Sequence, residues 1–162
     1  MTATLSAHFP RCIVSGGQTG ADRAGLDFAI EHGVTHAGYC PRGRLAEDGQ
    51  IPARYNLEET EHDDYPTRTR KNVELGDATV IFQRGPNVRP RSGSALTAGH
   101  ARKVGRPCLV LGAFPNVQAD AAALRAFLEL NRPKILNVAG SRESSTPGIG
   151  AHVRAVLAAI AG

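Results

Sequence analysis

Gly16, Gly17 and Gly20 fall within five residues, with Gln18, Thr19, Asp22 and Arg23 among and just after them. Glycines at this density let a backbone come close to a bound anion. The run Ala21 to Gly33 that follows reads as a helix ending at a glycine. A helix start offers unpaired N–H donors and a partial positive charge, so a phosphate or similar oxyanion is the natural guest. The spacing is neither G-x-G-x-x-G nor a P-loop, since no G-K-[ST] follows. A tight strand-to-helix turn that binds nothing is the plain alternative. Four polar side chains at one helix start, where one cap would suffice, favour binding.

Ser92, Gly93, Ser94 and Thr97 repeat this logic at the start of a second helical run. Two such turns at adjacent strand ends suit a pyrophosphate or dinucleotide-like ligand, which needs several donors; a serine that only caps its helix is the alternative. Arg42, Arg44, Glu47 and Asp48 share one polar segment, 41–55. The acids there can hydrogen-bond a ribose or a ring N–H and the arginines can hold phosphate, or the segment is a solvated loop. Arg68 and Asn72 stand four apart and share a helical face that could close a site. Arg142 and Glu143 follow the last strand. For catalysis the chain is quiet. Its six histidines show no metal-ligand spacing, and no G-x-S-x-G elbow occurs. No catalytic residue is assigned, and a non-catalytic binding protein is the expectation.

The elements that must position these residues alternate between strand and helix. Strands are expected at 12–15, 35–40, 56–60, 78–82, 107–111 and 134–138. Helices are expected at 21–32, 65–76, 94–104, 120–131 and 149–161. This order predicts an α/β, Rossmann-like three-layer fold: a mostly parallel sheet with helices on both faces. Ligands of such folds bind at the carboxyl ends of the strands. The loops starting at Ser15, Cys40 and Ala139, and the arginine-bearing loop that ends at Ser94, should therefore converge there. Residues 1–11 read as a loose arm and 12–162 as a single domain.

Composition narrows the partners. The 162 residues carry a formal net charge of +4, with 16 arginines and three lysines. Arginine suits bidentate grips on phosphate or carboxylate. Aromatics make up 5 % of the chain and no dense Lys/Arg run occurs, so nucleic acid is not the expected partner. Three cysteines without a C-x-x-C signal neither a disulfide framework nor a zinc site. No signal peptide or membrane span is visible, and the expected location is cytoplasmic.

The segments G-G-Q-T-G-A-D-R-A (16–24), C-P-R-G-R-x-A-E-D-G (40–49), I-P-x-R-Y (51–55), R-T-R-K-N-V (68–73) and L-N-V-A-G-x-R-E-S (136–144) recur in order. On them the chain resembles the molybdenum carrier family. These are Rossmann-like proteins related to molybdenum-cofactor carriers and, more distantly, to the lysine-decarboxylase-like group. The resemblance implies a homo-oligomer, dimer or tetramer, that holds an anionic pterin- or nucleotide-like ligand, with molybdenum cofactor (molybdopterin) as cargo and molybdenum-enzyme apoproteins as partners. It implies that residues 16–20 form a phosphate or pterin loop. Ser92, Gly93, Ser94 and Thr97 match a G-G-T-x-x-T pattern with serine at its first and third positions. A Cys40 thiolate could ligate molybdenum, or Cys40 is a plain strand-end residue. Gly17→Val should abolish binding while the fold survives. The alternative is a sensor or hydrolase of nucleotide-derived ligands, related to nucleoside-monophosphate phosphoribohydrolases, with Glu47, Asp48 or Glu143 as acid–base. Against it, the glutamate of the P-G-G-x-G-T-x-x-E motif is missing after Thr97, where Ala98, Gly99 and His100 stand.

Overall fold

The computed structural model describes residues 4–162. In chain order its elements are β1 (Cys12–Val14), α1 (Ala21–Glu31), β2 (Thr35–Ala37), β3 (Tyr39–Cys40), β4 (Leu45–Ala46), β5 (Gly49–Gln50) and β6 (Glu58–Glu59). Then come α2 (Tyr65–Leu75), β7 (Ala78–Phe82), α3 (Gly93–Val104), β8 (Cys108–Leu111), α4 (Val117–Asn131), β9 (Ile135–Gly140) and α5 (Ile149–Ala161). Five strands form one parallel sheet in the order β2-β1-β9-β7-β8. Helices α1, α5 and α4 pack together, as do α2 and α3, so the sheet is covered on both faces. The expected three-layer, Rossmann-like α/β fold is the observed one.

The two faces differ because successive strand residues point opposite ways. Ala78, Val80, Phe82, Leu136 and Val138 enter the main apolar core with Phe28, Leu124, Val153 and Leu157. Burying a side chain of this size contributes roughly 1.5–3 kcal/mol, so this face dominates stability. The residues between them, Thr79 and Asn137, are buried toward the α2–α3 side, where Asn137 Nδ2 donates to Thr79 Oγ1 at 3.2 Å. One face is thus apolar and the other partly polar, and the polar face is where a ligand can be received.

The second strand is broken rather than continuous. Gly38 has φ +139°, and a Cβ there would collide with the Ser15 carbonyl oxygen. The chain turns at that point, and β3 leaves the main sheet to pair with β6. The expected strand at 56–60 is therefore in this two-stranded sheet. The polar segment 41–55, expected to be loop, contains the antiparallel hairpin β4–β5. Helix α4 starts three residues early because Asn116 caps it, accepting from Ala119 N at 3.0 Å. The arm read as loose is docked where it is described. Ser6 N donates to Ala161 O at 2.7 Å, and Phe9 joins the main core. Residues 1–3 of that arm lie outside the described residues. Among the described residues, no helix is long and apolar enough to cross a membrane.

Candidate functional site

The carboxyl ends of β1, β9 and β7 open onto a cavity of about 880 Å³. From here β1 leads outward to β2 and β7 outward to β8, with β9 between them. This is the switch point at which open α/β sheets bind ligands. Three of the four loops expected to converge line this cavity. The one after Cys40 does not line it, because β3 has left the main sheet, and it meets the glycine turn from outside through Glu47 and Asp48.

One wall is the start of α3. Ser92 caps it: Oγ accepts from Ala95 N at 3.1 Å and donates to Arg89 O at 2.6 Å. The first two N–H groups of the helix, on Gly93 and Ser94, take no acceptor among the described residues. A Cβ on Gly93 would meet nothing within 4 Å, so the approach is open. Thr97 gives its hydroxyl to Gly93 O at 2.9 Å and closes the turn. Arg68, Arg84, Arg89, Arg91 and Arg142 line the same cavity, with Asp22 the one carboxylate among the described lining residues. A charge contact at about 4 Å counts for ~4 kcal/mol at an effective dielectric of ~20. An excess of arginine on this scale suits the cavity to an anion rather than a cation.

The first glycine turn is organised differently. Gly16 O accepts from Arg68 Nη1 at 2.9 Å, and any Cβ on Gly16 would collide with that guanidinium. Arg68 is 8 % exposed, packs its guanidinium 5.0 Å from the Tyr65 ring centre, and stands 3.7 Å from Asp22. Ala21 N donates to Ser141 O at 3.1 Å, so this helix start has begun to use its donors inside the protein. Asp22, in the first turn of α1, brings a carboxyl of the chain itself to this side of the cavity. Burial pushes its pKa up to about 6, and Arg68 only partly offsets this.

A stability test follows. The folded pKa lies above the unfolded value of 3.8. Between about pH 4 and 6 the folded chain therefore holds the proton more tightly, and stability falls as pH rises through that window. Asp22→Asn has no such penalty. Relative to the wild type it should gain about 3 kcal/mol between pH 4 and 7, read from denaturant unfolding at both pH values. A constant difference between the two proteins would contradict the buried carboxyl.

The other predicted residues divide between cavity and frame. Gln18 and Asn72 line the cavity. Asn72 also pins β3, accepting from Tyr39 N at 2.8 Å and donating to Tyr39 O at 2.9 Å. Gly17, Thr19, Gly20, Arg23, Cys40, Arg42, Arg44, Glu47 and Asp48 do not line it. A Cβ on Gly17 would come 2.7 Å from Leu57 Cδ1 and 3.0 Å from Ile51 Cδ1. Gly17→Val would therefore pry this packing apart, and the expected loss of binding with an intact fold does not follow. Arg23 grips Asp48 at 2.5 and 3.1 Å and Gly17 O at 3.1 Å. Glu47 accepts from the Thr19 hydroxyl, and from Ser144 Oγ at 2.5 Å; these hydroxyls hold its carboxyl below the ordinary range. Together these bonds fasten the β4–β5 hairpin to the glycine turn. Arg44 clips the same segment by donating to the carbonyls of Ile51, Pro52 and Tyr55 at 2.8–3.0 Å. Arg42 is exposed. Cys40 is fully buried with Leu26, Ile51 and Tyr55, and burial raises its thiol pKa. Among the described residues, no group of three or more His, Cys, Asp or Glu is placed to hold a metal ion.

Sequence reasoning missed Tyr65, Gln83, Asn137 and Thr146 as lining residues. Nothing in their spacing announces them. Arg84, Arg89 and Arg91 were visible as an arginine-bearing loop, and Arg142 as a residue following a strand, but not as members of one wall.

The model of the circularly permutated YpsA SLOG family matches residues 13–161. The chain is 38 % identical to a crystal structure from Syntrophus aciditrophicus SB described as "Putative molybdenum carrier protein". The two superpose with a TM-score of 0.88 over 93 % of this chain and 94 % of the other. No curated protein matches the chain.

Proposed function

We propose a function on this footing: the chain belongs to the circularly permutated YpsA SLOG family, and it binds an anionic pterin- or nucleotide-type ligand, with molybdenum cofactor as the cargo. The observation that carries the reading is the pair of free N–H groups on Gly93 and Ser94 at the arginine-walled cavity. These donors would hold phosphate oxygens, with the lining arginines supplying charge. The 38 % identical protein described as a molybdenum carrier supports the choice of cargo. The resemblance extends the reading to a homo-oligomer that hands its ligand to molybdenum-enzyme apoproteins.

Hydrolysis finds less support. Glu47 and Asp48 fasten the hairpin, and Glu143 accepts from Gly148 N at 2.6 Å and Gly150 N at 3.1 Å. None of the three lines the cavity. The acid–base groups named for a phosphoribohydrolase are thus committed to structure.

The test is thermal unfolding with molybdenum cofactor, adenosine monophosphate or inorganic phosphate. A ligand at one hundred times its Kd adds about 2.7 kcal/mol by mass action. Molybdenum cofactor should raise Tm most. Stabilisation by the nucleotide alone would overturn the choice of cargo, and no stabilisation by any of the three would overturn the anion site.

A further inference from the structure

Gln18 carries a buried donor with no acceptor. Its Oε1 accepts from Thr19 N at 3.1 Å and from Glu47 N at 2.9 Å. Two N–H groups on one atom fix which end of the amide is oxygen. Nε2 is then the other arm of the amide. The residue is 4 % exposed and lines the cavity, yet Nε2 has no partner among the described residues. An unpaired buried donor costs about 1–3 kcal/mol. An acceptor that arrived with a ligand would recover that energy.

Two further observations say what kind of ligand brings it. The Tyr65 ring lines the same cavity, with the guanidinium carbons of Arg68 and Arg142 at 5.0 and 5.6 Å from its centre. Aromatic and guanidinium planes receive flat rings. The ends of β1 and β7 are separated by β9 alone. The Gln18 turn follows β1 and the start of α3 lies beyond β7, and both line the one cavity. A phosphomonoester with a planar ring at its other end would offer a group to each of them within that cavity.

We infer that Gln18 determines specificity for the ring: Nε2 donates to a carbonyl or ring nitrogen of a planar heterocycle whose phosphate sits on Gly93 and Ser94. The inference rests on the phosphate reading above and adds the chemistry of the other end.

Affinities for inorganic phosphate, ribose 5-phosphate and inosine monophosphate, measured by calorimetry, test it. Gln18→Glu keeps an oxygen toward Thr19 and Glu47 and removes the donor. Gln18→Met removes both polar atoms without adding charge. The wild type should prefer inosine monophosphate over ribose 5-phosphate by ~10-fold or more. Both variants should reduce that ratio below about 3-fold, and Gln18→Met should leave ribose 5-phosphate affinity within about 3-fold. Circular dichroism and Tm establish folding, and if one variant is unfolded the other decides. A wild-type ratio near one, or a ratio retained in the folded variants, overturns the inference while the phosphate site stands. If none of the three probes binds the wild type, the phosphate reading fails and takes this inference with it.

Discussion

Gly93→Pro should leave the protein folded and weaken phosphate binding by ~10- to 150-fold. Gly93 is the first residue of α3, a position that proline favours because its missing N–H has no helical partner. Ser92 before it has φ −84° and ψ 168°, the extended conformation that a following proline requires. A Cβ at position 93 has open space. Stability should therefore be unchanged, or raised slightly through the unfolded chain. The loss falls on the ligand. One N–H donor disappears, and a charge-assisted hydrogen bond contributes about 1.5–3 kcal/mol. Gly93→Ala keeps the N–H and should bind nearly as the wild type does. Equal affinities for the proline variant and the wild type, measured by calorimetry, would remove Gly93 from the site.

Gly20→Ala should destabilise the fold by about 3–5 kcal/mol, a large share of the 5–15 kcal/mol typical of a domain. Gly20 has φ 80° and ψ −127°, a conformation open in practice only to glycine. Its Cβ would lie 2.6 Å from Glu143 N and 2.8 Å from the Arg142 carbonyl carbon, and would collide with Ser141 O. These are backbone atoms and cannot rotate away. The β9–α5 loop would have to lift, taking Arg142 from the cavity wall. A fall in Tm of about 10 °C or more is expected, with weakened phosphate binding in the protein that stays folded. A Tm within about 2 °C of the wild type would mean that the loop moves freely and is not held by this contact.

The parts that the sequence made legible are those with strong local causes. The run Ala78–Phe82 is rich in β-branched and apolar residues and reads clearly as a strand, which the structure shows buried. The serine–glycine start of α3 announced both a cap and an open helix end. What the sequence concealed depends on packing between distant segments. Gly17 and Gly20 look alike in the sequence. Gly17 faces Leu57 and Ile51, whereas Gly20 faces the loop at 141–143. Asp22 looked like a ligand donor, and only the packed structure shows it buried beside Arg68 with its pKa raised. Arg44 looked like a phosphate grip, but three nearby carbonyls claim it. The hairpin strands are two residues each, too short to show any period. That β9, the last strand in the chain, lies at the centre of the sheet follows from pairing, which no local pattern encodes. β9 thereby separates the end of β1, which leads into the glycine turn, from the end of β7.

On the proposed reading the anion sits on the start of α3 and not in the first glycine turn. Amide NMR tests it most directly, since the chain is only 17.1 kDa. With ¹⁵N-labelled protein titrated with adenosine monophosphate, the largest amide shifts should fall on Gly93 and Ser94, with smaller changes at Gly17 and Gly20. Large shifts across residues 16–20, with Gly93 and Ser94 unmoved, would contradict the account.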